Sequence, residues 1–156
     1  MIAASPIGDQ IARHHASMVA TLNEHTEALA RARTPEAQQG ALAQLVHYVD
    51  AELLPHAEAE EETLYARGRE LVALAVLVAS MTAEHRVLRR LRDALENPSL
   101  DADAHVLAAG AFAGVFEAHA AKENEFLVPG LIAAGVDVGA LLGSMRELLA
   151  GRGSAG

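Results

Sequence analysis

Apolar positions recur along the chain in steps of three and four, and the repeat divides it into five helical segments. The first, over residues 7–32, aligns Ile11, His15, Met18, Leu22, His25 and Leu29 on one face. "RTPEA" ends it, with Thr34 placed to cap the next helix and Pro35 suited to its first turn. The second, over 35–67, aligns Leu42, Val46, Val49, Leu53, His56, Glu60 and Leu64. Pro55 lies inside this pattern and predicts a kink just before His56. The third, over 70–96, aligns Leu74, Val78, Met81, His85, Leu88 and Leu95. After "NPSLD", with Asp101 as a cap, the fourth runs over 102–128 with His105, Phe112, Phe116, His119, Glu123 and Phe126. Pro129 and Gly130 disturb its end. A short fifth helix, 138–150, follows "GVD", and 151–156 reads as a flexible tail.

Four long amphipathic helices with short connections predict an all-α fold. The expected architecture is an up-down-up-down antiparallel four-helix bundle over 7–130 with a short extra C-terminal helix, in one domain spanning 1–150. "LVALAVLVA", residues 71–79, is apolar nearly all round and needs cover on two sides, from the fifth helix or from a second subunit. Monomer and homodimer both fit.

Composition narrows the chemistry. The chain is 51% hydrophobic but only 3% aromatic, so Ala and Leu, both helix formers, carry the apolar content. With no Cys there is no disulfide frame, thiolate metal site or cysteine nucleophile. A net charge of −9 without a basic stripe argues against nucleic acid. "MIAASPIGDQ" lacks the charged and apolar regions of a signal peptide, and the longest apolar run is too short for a bilayer. A cytoplasmic protein with a small-molecule ligand, and without a membrane or nucleic-acid partner, is expected.

The polar residues on the apolar stripes point to function. Each long helix places a histidine where its stripe expects a core residue: His15, His56, His85 and His119. Helices 2 and 4 add Glu60 and Glu123, one turn later on the same face. Each unsatisfied buried polar group costs roughly 1–3 kcal/mol. Six of them would consume most of a typical stability of about 5–15 kcal/mol. A metal site removes that cost: imidazoles donate nitrogen lone pairs, and two carboxylates can each bridge two cations. The nitrogen and oxygen set suits iron, with manganese or zinc as alternatives. A lone histidine on a stripe is more often a hydrogen-bonded core residue, and one His-x-x-x-Glu an ordinary surface pair. Two such pairs on alternate helices, joined by a histidine on each of the other two, are hard to reach by chance. Levels counted from the turns agree only within about two turns, so the helix ends must be uneven.

The other polar residues divide. His14 neighbours His15, and either could serve on helix 1; His15 is taken because an apolar residue follows it by three, as one follows His85. His25 and His105 lie too far along their helices to share the site, and His47 falls off the stripe. Glu58, Glu61, Glu62 and Glu125 read as solvated face. Glu52 and Glu84 could orient imidazoles, and Tyr48 and Tyr65 could approach the site.

"HHASM", "HAEAEEETLY", "AEHRVL" and "HAAKENEFLVP", in this order and spacing, resemble the hemerythrin-like, or HHE cation-binding, family over residues 7–130. The resemblance implies a four-helix bundle around two iron ions, bridged by two carboxylates and an oxo or hydroxo group. It makes His15, His56, Glu60, His85, His119 and Glu123 the ligands. The Glu-x-x-His motif of ferritin-like di-iron bundles is missing. One feature departs from the oxygen carriers of the family, which have His-x-x-x-His on helix 3; here Met81 and Arg89 flank His85 at four residues. An open or water-filled position on one iron is the expected consequence. Two functions then fit: binding or sensing dioxygen, nitric oxide or iron, and a peroxidase- or catalase-like removal of hydrogen peroxide.

Overall fold

The computed structural model describes residues 5–153, which form helices and turns with no strand among them. Helix α1 is Pro6–Arg31. Helix α2 is composite: Pro35–Tyr48, a π-helical turn Val49–Leu53, Leu54–Glu62, and, after a break at Thr63, Leu64–Arg69. Helix α3 is Val72–Leu95. Helix α4 is also composite: Ala102–Lys122, a π-helical turn Glu123–Leu127, and Val128–Ala133. Helix α5 is Val138–Gly153. It runs through the first half of the expected tail; 154–156 lie outside the described residues.

Local chemistry sets the ends. The Thr34 hydroxyl accepts from the Ala37 N–H at 3.2 Å, and the Asp101 carboxylate from the Ala104 N–H at 2.8 Å, each satisfying an amide that the first helical turn leaves without a partner. Gly135, at φ +75°, closes α4, with the Val136 N–H reaching back to the Leu131 carbonyl.

Helix α4 continues through Pro129 and Gly130 to Ala133, beyond the expected end near 128. Neither Pro55 nor Pro129 ends its helix. A proline ring collides with the carbonyl four residues earlier and offers it no N–H. In both helices that carbonyl, of Ala51 for Pro55 and of Glu125 for Pro129, lies within the π turn. There the bonding widens to five residues, Leu54 N–H to the Val49 carbonyl and Val128 N–H to the Glu123 carbonyl, and the helix continues. The extra residue shifts the stripe. Phe126, expected in the core, is 57% exposed, and Leu127 is fully buried in its place.

Helices α1 to α4 pack as a ring, each against the next and α4 against α1, the arrangement expected of an antiparallel bundle. Their interior is two apolar clusters. One, with Leu22, Leu45, Leu53, Leu88, Phe112 and Phe116, fills the end near the α1–α2 and α3–α4 turns. The other gathers Ile11, Tyr65, Val78, Met81, Leu127 and Leu131 at the opposite end. Gly68 admits close approach there: a Cβ on it would stand 2.8 Å from Val78 Cγ2. Helix α5 packs on the Leu54–Glu62 segment of α2 and on the Val128–Ala133 end of α4. It does not cover the outer face of the apolar run on α3, where Val72 and Val76 are 94% and 82% exposed. No helix of the described residues is long and apolar enough to cross a membrane.

Candidate metal centre

Between the two apolar clusters lies a polar layer. His15, His56, Glu60, His85, His119 and Glu123 are all buried, and all six converge. His56 Nε2 lies 2.7 Å from Glu60 Oε1 and 3.3 Å from His15 Nε2. His85 Nε2 lies 3.0 Å from His119 Nε2 and 3.7 Å from Glu60 Oε2. Glu123 faces both sides, with Oε2 3.5 Å from His15 Nε2 and Oε1 3.5 Å from His119 Nε2. Two groups able to hold a metal result, His15–His56–Glu60 and Glu60–His85–His119, each with its ligand atoms within 4.8 Å of one another. Glu60 belongs to both.

The outer nitrogens are held as well. His15 Nδ1 donates to Asn124 Oδ1 at 2.9 Å, His85 Nδ1 to Glu61 Oε1 at 2.8 Å, and His119 Nδ1 to Glu84 Oε2 at 2.9 Å. Arg89 and Lys122 anchor the two glutamates in turn. Fixing the proton on Nδ1 leaves a lone pair on Nε2, pointing inward.

This arrangement fits a cation. Imidazole nitrogens face one another at contact distance, and Glu60 Oε1 and Glu123 Oε2 are buried with no neighbour to satisfy them but the imidazole Nε2 atoms. Without a metal, protons must take its place. Burial pulls the His15 imidazolium down, but the Glu60 and Glu123 carboxylates outweigh it and raise the group to about 9. Glu123, Glu60 and Glu84 likewise outweigh burial at His119 and raise it to about 9. At Glu60 burial raises the carboxyl, yet His56 and His15 hold it well below the usual range. Burial and the neighbouring His119 push His85 down.

His15, not His14, faces the centre; the exposed His14 ring sits 5.2 Å from that of His56. Glu84 orients an imidazole as expected, whereas Glu52 is exposed and holds none of these three. Glu61, read as solvated face, holds His85, and Asn124 holds His15 without having been singled out. Both directly follow a stripe glutamate, and that adjacency is the signal that could have found them. Arg89, at the position four after His85, is tied to Glu61 at 3.1 Å. His25 is half-buried against Tyr48, His105 bonds the Asn97 carbonyl, and His47 is exposed, so none joins the centre.

Tyr65 stands beside the imidazoles of α3 and α4, where an open position was expected. Its hydroxyl donates to Glu123 Oε1 at 2.6 Å, and its oxygen lies 2.9 Å from His119 Nε2 and 3.5 Å from His85 Nε2. The Thr63 break, at φ −116° and ψ −82°, rotates Tyr65 inward from a position off the stripe. Burial and then the Glu123 and Glu60 carboxylates push this phenol far up, so it keeps its proton. On the other side, a cavity of about 230 Å³ has His15, His56 and Glu60 among its lining residues.

A four-helix bundle with a shared carboxylate between two buried histidine–carboxylate groups defines a class, the helical proteins that hold metal in the bundle core. The family model of the hemerythrin HHE cation binding domain matches residues 7–131, and the chain belongs to that family. No curated protein and no solved structure matches it.

Proposed function

We propose that this is a non-haem di-iron protein that binds dioxygen, and with it nitric oxide, at a dinuclear centre held by His15, His56, Glu60, His85, His119 and Glu123. The observation that carries this reading is Glu60, buried and common to both metal-holding groups. One ion would not use four imidazoles and two carboxylates arranged on two sides. When bound, iron supplies the redox chemistry that side chains lack. The chain does the rest. Asn124, Glu61 and Glu84 orient imidazoles. The apolar clusters above and below exclude water, and the cavity leads a small ligand to the His15–His56–Glu60 side.

A second reading, removal of hydrogen peroxide, is favoured by Tyr65. Breaking an oxygen–oxygen bond consumes protons, and Tyr65 holds one at Oη within the polar layer, aimed at Glu123. Simple carriage does not require such a donor.

Iron loading followed by metal analysis and near-ultraviolet spectroscopy tests the first reading. Two irons per chain and the absorption of an oxo-bridged ferric pair are expected, with a further band when azide is added. A stoichiometry that stays at one under saturating iron rules out the dinuclear centre. For the second reading, the fully loaded protein should consume peroxide over repeated turnovers, and Tyr65→Phe should slow it by roughly 10²-fold. Loaded protein that leaves peroxide untouched removes that reading and leaves the first standing.

A further inference from the structure

The cavity above His15, His56 and Glu60 is larger than dioxygen or peroxide needs. It measures about 230 Å³, whereas one water occupies about 30 Å³ in the liquid and apolar cavities of about 150 Å³ hold a benzene ring. Its walls are apolar: Ile11 from α1, Leu64 from α2, and Leu142, Met145 and Leu149 from α5. Ile11, Leu64 and Met145 are buried, and Leu142 and Leu149 half-buried. The polar lining residues are six, three buried and three exposed, the exposed ones including Gln10. His15, His56 and Glu60 form the floor, and His14 and Arg146 are exposed at the rim. Five apolar side chains offer hydrogen peroxide no hydrogen bond, and dioxygen would fill only a small part of the space between them. They favour a ligand with an organic body that leaves water on entry.

We propose that this cavity binds an organic molecule of aryl or branched-alkyl size carrying one small oxygen head group, an alcohol, phenol or hydroperoxide. The body lies against α5 and the head points to the His15–His56–Glu60 floor. Helix α5 is then a specificity element, since three of the five wall residues come from it. The proposal rests on the dinuclear reading only for what the head group meets at the floor; the walls are independent of metal.

The test uses 2-phenylpropan-2-ol, which is redox-inert, titrated into the full chain loaded with zinc and followed by methyl NMR, with metal content measured on the same samples. Saturable shifts are expected at the methyls of Ile11, Leu142, Met145 and Leu149, with affinity about tenfold or more above that of tert-butanol. Leu142→Trp should fill the space and weaken the probe by about tenfold or more without changing zinc content. If that variant does not fold, Leu149→Trp fills the same cavity from another half-buried position. Absence of saturable shifts at these methyls, equal affinity for the two alcohols, or unchanged binding by a folded tryptophan variant overturns the proposal. Probe binding by a chain that takes up no metal supports the cavity and removes the dinuclear reading. Metal uptake without probe binding does the reverse.

Discussion

Asn124, Glu61 and Glu84 each hold the far nitrogen of an imidazole that belongs to a neighbouring helix. Glu61→Gln keeps the shape but weakens the acceptor, and Asn124→Ala removes it. Each should lower metal affinity by roughly 10–100-fold, measured by competition with a chromophoric chelator. Glu125→Ala, at an exposed position one residue beyond Asn124, should leave it unchanged. Equal losses across all three variants would show that these bonds do not matter. Protonation adds a second residue-level expectation. His15 and His119 rise to about 9 in the metal-free chain, against an unfolded value of about 6.5. Stability from these two groups is therefore full below about 6.5 and is lost as pH climbs through about 9. Metal requires the neutral rings, so metal affinity rises over the same window. Melting temperatures of the metal-free protein at several values across that window should fall; a flat profile contradicts the raised values.

At the scale of elements, the two π turns decide the register of everything after them. Leu127 is fully buried in the second apolar cluster and Phe126 is exposed beside it. Leu127→Ala should cost roughly 2–5 kcal/mol, the ordinary loss for a buried leucine. Phe126→Ala should stay within about 0.5 kcal/mol, as surface changes do. Urea denaturation of the two variants checks this, and the reverse order would place the helix in an unwidened register. Gly68 offers a second probe. Alanine in a helix normally gains up to about 1 kcal/mol over glycine. Here the new Cβ would meet Val78 Cγ2 at 2.8 Å, on a side chain whose branching leaves it little freedom. Gly68→Ala should destabilise by roughly 1–3 kcal/mol, and a stabilised variant would mean that α2 and α3 can move apart freely.

Across the whole molecule, the polar layer makes the metal part of the fold. Glu60 Oε1 and Glu123 Oε2 lie buried between two apolar clusters with only imidazole Nε2 atoms facing them. A metal that binds only the folded chain stabilises it by about 4 kcal/mol at a thousand times its dissociation constant. Chelation should therefore lower the melting temperature markedly, and readdition should restore it. A melting temperature indifferent to metal in a chain that demonstrably binds it would show that the bundle tolerates the layer unaided.

The helical stripes were legible in the chain because helical period is a local property. Every position of the third stripe, from Leu74 to Leu95, is buried as its spacing predicts. The four histidines and two glutamates stood out because apolar stripes exclude such groups unless something satisfies them. Thr34 and Asp101 announced their caps for a similarly local reason. The rest depends on a second helix. Phe126 and Leu127 exchange places because a π turn before Pro129 inserts a residue, and periodicity cannot count that residue in advance. Glu61 and Asn124 look like solvated face on their own helices; only the neighbour at bundle distance turns them toward an imidazole. Tyr65 lies off the stripe until the break at Thr63 rotates it inward. The cavity belongs to no single segment, since its walls come from α1, α2 and α5 together. A residue's type and period tell which face of its helix is buried; what that face meets is set by the packing of the other helices.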